Sequence, residues 1–211
     1  MKDVDHWKRN YESARKFSSP SQFAAFTLNE LSGITSIIEF GSGDGRDTKF
    51  FSNQGLEVFA SDGSETAVGI CNKIIPGNGK IVCEVVDYSQ LDQISSWLKK
   101  AKFDFSSSVI YARFLFHSVD SKTEDNLLDI FLQLFNRGTK NAYLEFRTEF
   151  DAHLPKVTAS HFRRFINLQE FENKLLGFGF EIVYKAVGQG FAKYGVDDAH
   201  VARYIIKNGN K

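Results

Sequence analysis

Cysteine is scarce: the chain of 211 residues holds two, Cys71 and Cys83. Two thiols cannot build the disulfide framework of a small secreted domain, and no spacing of Cys and His fits a zinc site. We therefore expect no metal centre and a reducing, cytoplasmic setting. Net charge is also missing. Lys plus Arg and Asp plus Glu number 26 each, so no strong field gathers nucleic acid or an anionic membrane, and neither is expected as a partner. Long apolar runs are missing too. The first residues are charged, and no segment is long enough for a signal peptide or a membrane span. There is no internal repeat or low-complexity tract. A chain of this length is expected to form one well-buried α/β domain over 1–211, with helices over 1–32 and the core over 33–211. Phenylalanine is in excess, at 21 residues. Most must be core, and the remainder suit an apolar ligand site.

The stretch that organises the chain is Ile37-Ile38-Glu39-Phe40-Gly41-Ser42-Gly43-Asp44-Gly45-Arg46-Asp47. The apolar run Ile34 to Phe40 reads as a buried strand, and a helical pattern follows from Arg46 to Gln54. Strand, glycine loop and helix together let a backbone approach a nucleotide-like ligand at the carboxyl end of a parallel sheet. A dinucleotide fingerprint has the spacing G-x-G-x-x-G. Here the glycines fall at Gly41, Gly43 and Gly45, and Arg46 stands where the third fingerprint glycine belongs. Asp62 lies 21 positions beyond Gly41, where nucleotide-binding sheets place an acid that accepts hydrogen bonds from ribose hydroxyls.

Elsewhere the pattern alternates strand and helix. Asp5 to Lys16 reads as a helix with Trp7 and Tyr11 on one face, and a second helix begins at Pro20. Strands are expected at Leu56–Ala60, Ile81–Val86, Phe105–Tyr111 and Asn141–Phe146. Pro76-Gly77-Asn78-Gly79 has the chemistry of a loop. Ser64 suits an N-cap, Ser121 with Glu124 suits a capping box, and Asn167 with Glu170 opens a late helix. Phe180, Ile182 and Tyr184 alternate as a sixth strand, and Val201 to Ile206 forms a seventh. The connection between these two is too short for a crossover helix, so they should form an antiparallel hairpin.

Glu39-x-Gly41-x-Gly43-x-Gly45 after a buried strand, with Asp62 and Asp87 at the ends of the next two, resembles the cofactor site of class I S-adenosylmethionine-dependent methyltransferases. The resemblance covers essentially the whole chain. It implies a seven-stranded, mostly parallel sheet with helices on both faces, a last strand antiparallel in a C-terminal hairpin, and N-terminal helices as a lid over the cofactor. It implies S-adenosylmethionine contacts at Glu39, Gly41, Ser42, Gly43, Gly45, Arg46, Asp62, Gly63 and Tyr111. It also gives Asp87 the adenine amine, with Tyr88 beside the ring. Trp7 and Tyr11 either belong to the lid or anchor a terminal helix. Glu39 stands where many members carry Asp; the charge is kept. Tyr111 to Ser118, His161 to Asn167 and Gly190 to Tyr194 look like a bacterial subgroup linked to surface-polysaccharide or other secondary biosynthesis.

No Asn-Pro-Pro-Tyr or Asp-Pro-Pro-Tyr string occurs, and neither cysteine follows a proline, so methylation of a nucleobase amine or of cytosine C5 is not expected. The expected reaction is O-methylation of a small acceptor. A sugar hydroxyl would need a general base, for which His117 and His161 are candidates; a satisfied core histidine is the other reading of His117. An anionic acceptor would need cations, and Arg113, Arg147, Arg163 and Arg164 all fall near the acceptor edge. We expect such an anion, for instance a sugar phosphate, a nucleotide-linked or a polysaccharide precursor. The alternatives are a nicotinamide-dependent oxidoreductase and a non-catalytic protein that senses S-adenosylmethionine. Arg46 and the terminal hairpin argue against the first, and the polar acceptor edge against the second.

Overall fold

The computed structural model describes residues 19–74, 81–156 and 162–210. The expected first helix with Trp7 and Tyr11, the loop at 76–79, and His161 lie outside the described residues.

The core element is β1 (Ser36–Phe40), five residues buried throughout. Such a strand must be covered on both faces. Ile37 joins an apolar cluster with Phe23, Phe51, Val68 and Cys71 on one face, while Ile38 and Phe40 join Trp97, Leu127 and Phe131 on the other. The first face is covered by α1 (Gln22–Glu30), α2 (Arg46–Asn53) and α3 (Glu65–Ile74). The second is covered by α4 (Leu91–Leu98), α5 (Ser121–Asn136) and α6 (Leu168–Gly177).

The remaining strands of the sheet are β2 (Glu57–Asp62), β3 (Ile81–Val85), β4 (Ser108–Arg113), β5 (Ala142–Arg147), β6 (Phe180–Gly188) and β9 (Val201–Asn208). A separate ribbon of β7 (Lys193–Tyr194) and β8 (Asp197–Asp198) lies in the connection from β6 to β9. The order is β3-β2-β1-β4-β5-β9-β6, parallel except for β9, which runs against both neighbours. Order reverses between β1 and β4, and ligands of open α/β sheets bind outside the carboxyl ends at such a switch point. The expected sheet and its terminal hairpin are both present. Among the described residues no helix is long and apolar enough to cross a membrane.

Three local expectations change. Residues Phe105–Ser107 form a 3-10 turn capped by Asp104, whose carboxylate accepts from Ser106 N at 2.9 Å, so β4 begins at Ser108. The cap of α5 is Asp120, which accepts from Thr123 N at 2.9 Å, in place of the Ser121–Glu124 box. Glu124 is buried and binds Arg164 and Lys174 instead. The register of β6 shifts between Ile182 and Tyr184, which leaves Val183 exposed. Asn167 does cap α6, accepting from Glu170 N at 3.0 Å.

Candidate cofactor and acceptor site

The glycine loop turns at the carboxyl end of β1. Gly41, Gly43 and Gly45 have φ of 76°, 58° and 85°, a region that L side chains adopt at a cost. The loop's amides point into the protein. Gly41 N donates to Ser61 O at 2.9 Å and to the Tyr88 hydroxyl at 2.8 Å. Ser42 N donates to Ser61 O at 3.0 Å, and Gly43 N to Asp62 Oδ2 at 2.9 Å. A pyrophosphate site needs such amides turned toward the ligand. This loop spends them on β2.

Asp62 closes β2, buried, with Oδ1 accepting from Ser64 N at 2.8 Å. Burial pushes its carboxyl up, against the Ser64 and Gly43 bonds. Each oxygen keeps a further lone pair, the two acceptors a vicinal diol requires. Gly63 follows in the turn. Asp87 lies just past β3 and takes Ser89 N and Oγ on Oδ1 at 3.1 and 2.9 Å. Glu39 is buried and accepts from Thr48 Oγ1 at 2.6 Å, which ties β1 to α2. Burial raises its carboxyl well above the usual range. Ser42 turns its hydroxyl toward Cys83 Sγ, 3.4 Å away, so its side chain faces inward.

Two residues expected at the cofactor are buried in the core. Tyr88 is buried against Phe40, and its hydroxyl accepts from Gly41 N and donates to Ser61 O at 2.8 Å. It clamps the loop from beneath, because a buried phenol must find partners. Tyr111 is likewise core. It is stacked on Phe23 at 5.2 Å, and its hydroxyl donates to Asp47 Oδ2 at 2.9 Å. Arg46 opens α2 with Nε 3.3 Å from Asp47 Oδ1.

The carboxyl ends of β4 and β5 and the segments after them carry the candidate arginines and His117. Arg147 is 7% exposed, and both its terminal amino groups are committed, to Asp151 and Asp197 at 2.7 Å each. Arg164 binds Glu124 at 2.9 Å and Val119 O at 3.3 Å. His117 Nδ1 accepts from Arg147 N at 3.2 Å. That bond puts the ring proton on Nε2, and a donor nitrogen is no base. Arg147 and Arg164 thus sit in ion pairs, and His117 is a buried histidine whose Nδ1 is taken by a backbone amide. Arg163 is half-buried, and burial followed by the nearby Arg147 charge lowers its pKa.

Arg113 differs. Its side chain is 20% exposed, and Nε donates to Glu145 Oε1 at 2.8 Å. Among the described residues no other group accepts a hydrogen bond from it, which leaves its terminal amino groups uncommitted. Glu145 has no exposed surface and also accepts from Arg203 Nε at 2.7 Å. Arg113, Glu145 and Arg203 are register partners on β4, β5 and β9, so three strands carry one row of alternating charge. Sequence reasoning missed Glu145, Arg203 and Asp47. The available signal was a charge inside an otherwise apolar strand, as in Tyr143-Leu144-Glu145-Phe146 and Val201-Ala202-Arg203-Tyr204.

Phe114 follows β4 with φ 58°, the one non-glycine residue at positive φ among the described residues. Such a residue costs roughly 1–3 kcal/mol and persists only where its surroundings over-determine it. Here Phe114 N donates to Glu145 O at 2.7 Å, and Ser118 Oγ donates to Phe114 O at 3.0 Å. Its ring centroid lies 4.1 Å from the Arg113 guanidinium carbon, 5.5 Å from that of Arg147 and 5.1 Å from the His117 ring.

Comparison of the sequence with family models and with curated proteins finds no match. Solved structures do match over nearly the full length. An S-adenosylmethionine-dependent methyltransferase from Anabaena variabilis superposes with TM-score 0.69 at 18% identity, over 97% of this chain and 93% of that one. The CcbJ methyltransferase from Streptomyces caelestis gives 0.66 at 15% identity, over 97% of each chain. The glycopeptide N-methyltransferase MtfA, solved with S-adenosylmethionine, gives 0.63 at 14% identity, over 92% of this chain and 89% of that one. Identities this low establish the fold alone. The chain has the class I fold of S-adenosylmethionine-dependent methyltransferases.

Proposed function

We propose that this protein is an S-adenosylmethionine-dependent methyltransferase acting on an oxygen of a small, anionic acceptor. The observation that carries the cofactor reading is Asp62, held by the glycine loop on one side and Ser64 on the other, with acceptor capacity for a ribose diol. S-adenosylmethionine supplies a methyl group activated on a sulfonium. The chain's own residues bind and orient. Asp62 accepts the ribose hydroxyls, Asp87 accepts the adenine amine, and the three glycines allow close approach of the backbone. The inward amides of Gly41, Ser42 and Gly43 weigh against a nicotinamide dinucleotide.

The acceptor reading now rests on Arg113, because Arg147 and Arg164 are matched by carboxylates. Arg113 presents its terminal amino groups from a guanidinium fixed by Glu145 and Phe114, a fork suited to phosphate or carboxylate oxygens. An ionised oxygen needs no general base, which agrees with the donor state of His117. A role in surface-polysaccharide or other secondary biosynthesis belongs to the same proposal.

Calorimetry with S-adenosylmethionine, S-adenosylhomocysteine and NAD tests the cofactor; tight NAD binding with no response to the other two would end the reading. Methyl transfer to a panel of phosphorylated, acidic and neutral sugars tests the acceptor. Arg113→Ala should lose turnover on the anionic members with cofactor affinity nearly unchanged. Good turnover of a neutral sugar by both proteins would exclude the anion.

A further inference from the structure

We propose that Asp47 is a positioning residue for the cofactor site, tying the start of α1 to the turn behind the glycine loop through Ser21 and Tyr111. The proposal rests on the methyltransferase reading and concerns a group that reading does not use.

Four donors converge on this one carboxylate. Ser21 N donates to Oδ1 at 2.8 Å and Ser21 Oγ to Oδ2 at 2.7 Å. Tyr111 Oη donates to Oδ2 at 2.9 Å, and Arg46 Nε lies 3.3 Å from Oδ1. A carboxylate has about four lone-pair sites, so Asp47 is saturated. It is also buried, 6% exposed. Burial works against its ionisation. The Arg113 and Arg46 charges and the Ser21 bonds outweigh that and hold the carboxyl below its usual range.

An acid in the first turn of a helix needs none of this to favour the helix. These donors come instead from elsewhere in the chain. Ser21 is the N-cap of α1, its Oγ accepting from Ala24 N at 2.9 Å while donating to Asp47. One hydroxyl thus joins the cap of α1 to α2. Tyr111 sits between the same helices, stacked on Phe23 and edge-on to Phe51 at 5.0 Å. Asp47 follows Gly45 by two residues, and Gly45 is the N-cap of α2. Any shift of Asp47 is therefore passed to the loop. Saturating Asp47 has a second consequence. Arg113, whose charge it feels, is not drawn into a bond with it and keeps its terminal amino groups available.

The test is calorimetry with S-adenosylmethionine and S-adenosylhomocysteine on the full chain, with thermal unfolding of the ligand-free proteins alongside. Ser21→Gly keeps a competent N-cap and removes the donor; Tyr111→Phe removes one hydroxyl. Each should weaken both ligands three- to tenfold, alongside the drop of several degrees in melting temperature that the loss of a buried bond to a carboxylate brings, and Asp47→Asn should weaken them more. Ser21→Thr should restore what Ser21→Gly loses. A tie that serves stability alone would lower the melting temperatures and leave both affinities within twofold of the wild type. That result overturns the proposal. If Ser21→Gly does not fold, Tyr111→Phe decides it. A wild type that binds neither ligand overturns the methyltransferase reading itself, so the two failures are distinct.

Discussion

Replacing Glu145 by Gln strikes the row of charge beneath the acceptor edge with almost no change in shape. Glu145 accepts two charge-assisted hydrogen bonds, at 2.8 Å from Arg113 and 2.7 Å from Arg203, and has no exposed surface. Bonds of this kind contribute roughly 1.5–3 kcal/mol each. Gln keeps one carbonyl oxygen and turns an amide N–H toward the other guanidinium. Breaking a buried pair from one side typically costs about 3–5 kcal/mol, because a charge is left uncompensated. At roughly 2–4 °C per kcal/mol for a chain of this size, the melting temperature should drop by about 6–20 °C. Urea unfolding should show the same loss with an unchanged slope. Arg203→Met should cost more than Arg113→Met, because Arg203 is 7% exposed and Arg113 20%. Glu145→Gln combined with Arg203→Met should recover part of the loss, since the stranded charge is gone. A Glu145→Gln loss below about 1 kcal/mol would refute the reasoning and show that water reaches the arginines.

At Phe114 the usual order of Gly and Ala should invert: with φ at 58°, Phe114→Gly should be more stable than Phe114→Ala by about 1 kcal/mol in urea unfolding. Gly45→Ala should abolish cofactor binding in calorimetry, because the new Cβ would lie 2.5 Å from Cys71 Sγ and 3.1 Å from its Cα. Adding Cys71→Ala should rescue it only in part, since the backbone clash and the positive φ remain. Glu39 gives a pH test. Its carboxyl is raised well above the usual 4.5, chiefly by burial, so the folded state binds that proton more tightly than the unfolded chain. Its contribution therefore falls as pH rises from about 4.5 through the raised value. Glu39→Gln keeps the Thr48 hydrogen bond and loses this titration. Its urea midpoint should fall less than the wild type's between pH 5 and pH 8.

The features legible in the sequence were those fixed by neighbours in the chain. Apolar runs, glycine spacing and a short last connection locate β1, its loop, α2 and the final hairpin. Residue types at the acceptor edge were legible too, but their states were not, because their partners lie far away in sequence. Arg147 is matched by Asp197, Arg164 by Glu124, His117 by the amide of Arg147, and Tyr111 by Asp47. Arg147, Arg164 and Tyr111 read as available groups, and His117 as either a base or a core histidine, until the fold brings the partner in. The α5 cap failed for a related reason. Ser121 and Glu124 have the right spacing, but Asp120 stands one residue earlier and caps as well as Ser does, while tertiary pairing takes Glu124.

The pairing of these arginines bears on what the edge can bind. Two unit charges about 10 Å apart in an effective dielectric of about 20 interact by about 1.7 kcal/mol. Several uncompensated guanidiniums would therefore oppose any cationic ligand at the carboxyl ends of β1 and β4, and a sulfonium is such a ligand. Matching Arg147 with Asp151 and Asp197, Arg164 with Glu124, and Arg113 and Arg203 with Glu145 removes most of that field while keeping the hydrogen-bond donors rigid. An anion bound there would be recognised by geometry at Arg113 more than by attraction from a distance. The salt dependence expected of a bare arginine cluster should then be weak, because screening acts on net fields and much less on short, partly buried contacts. On the proposed function, such an edge would hold an acceptor anion beside a cationic donor without repelling the donor, which a cluster of free arginines could not do.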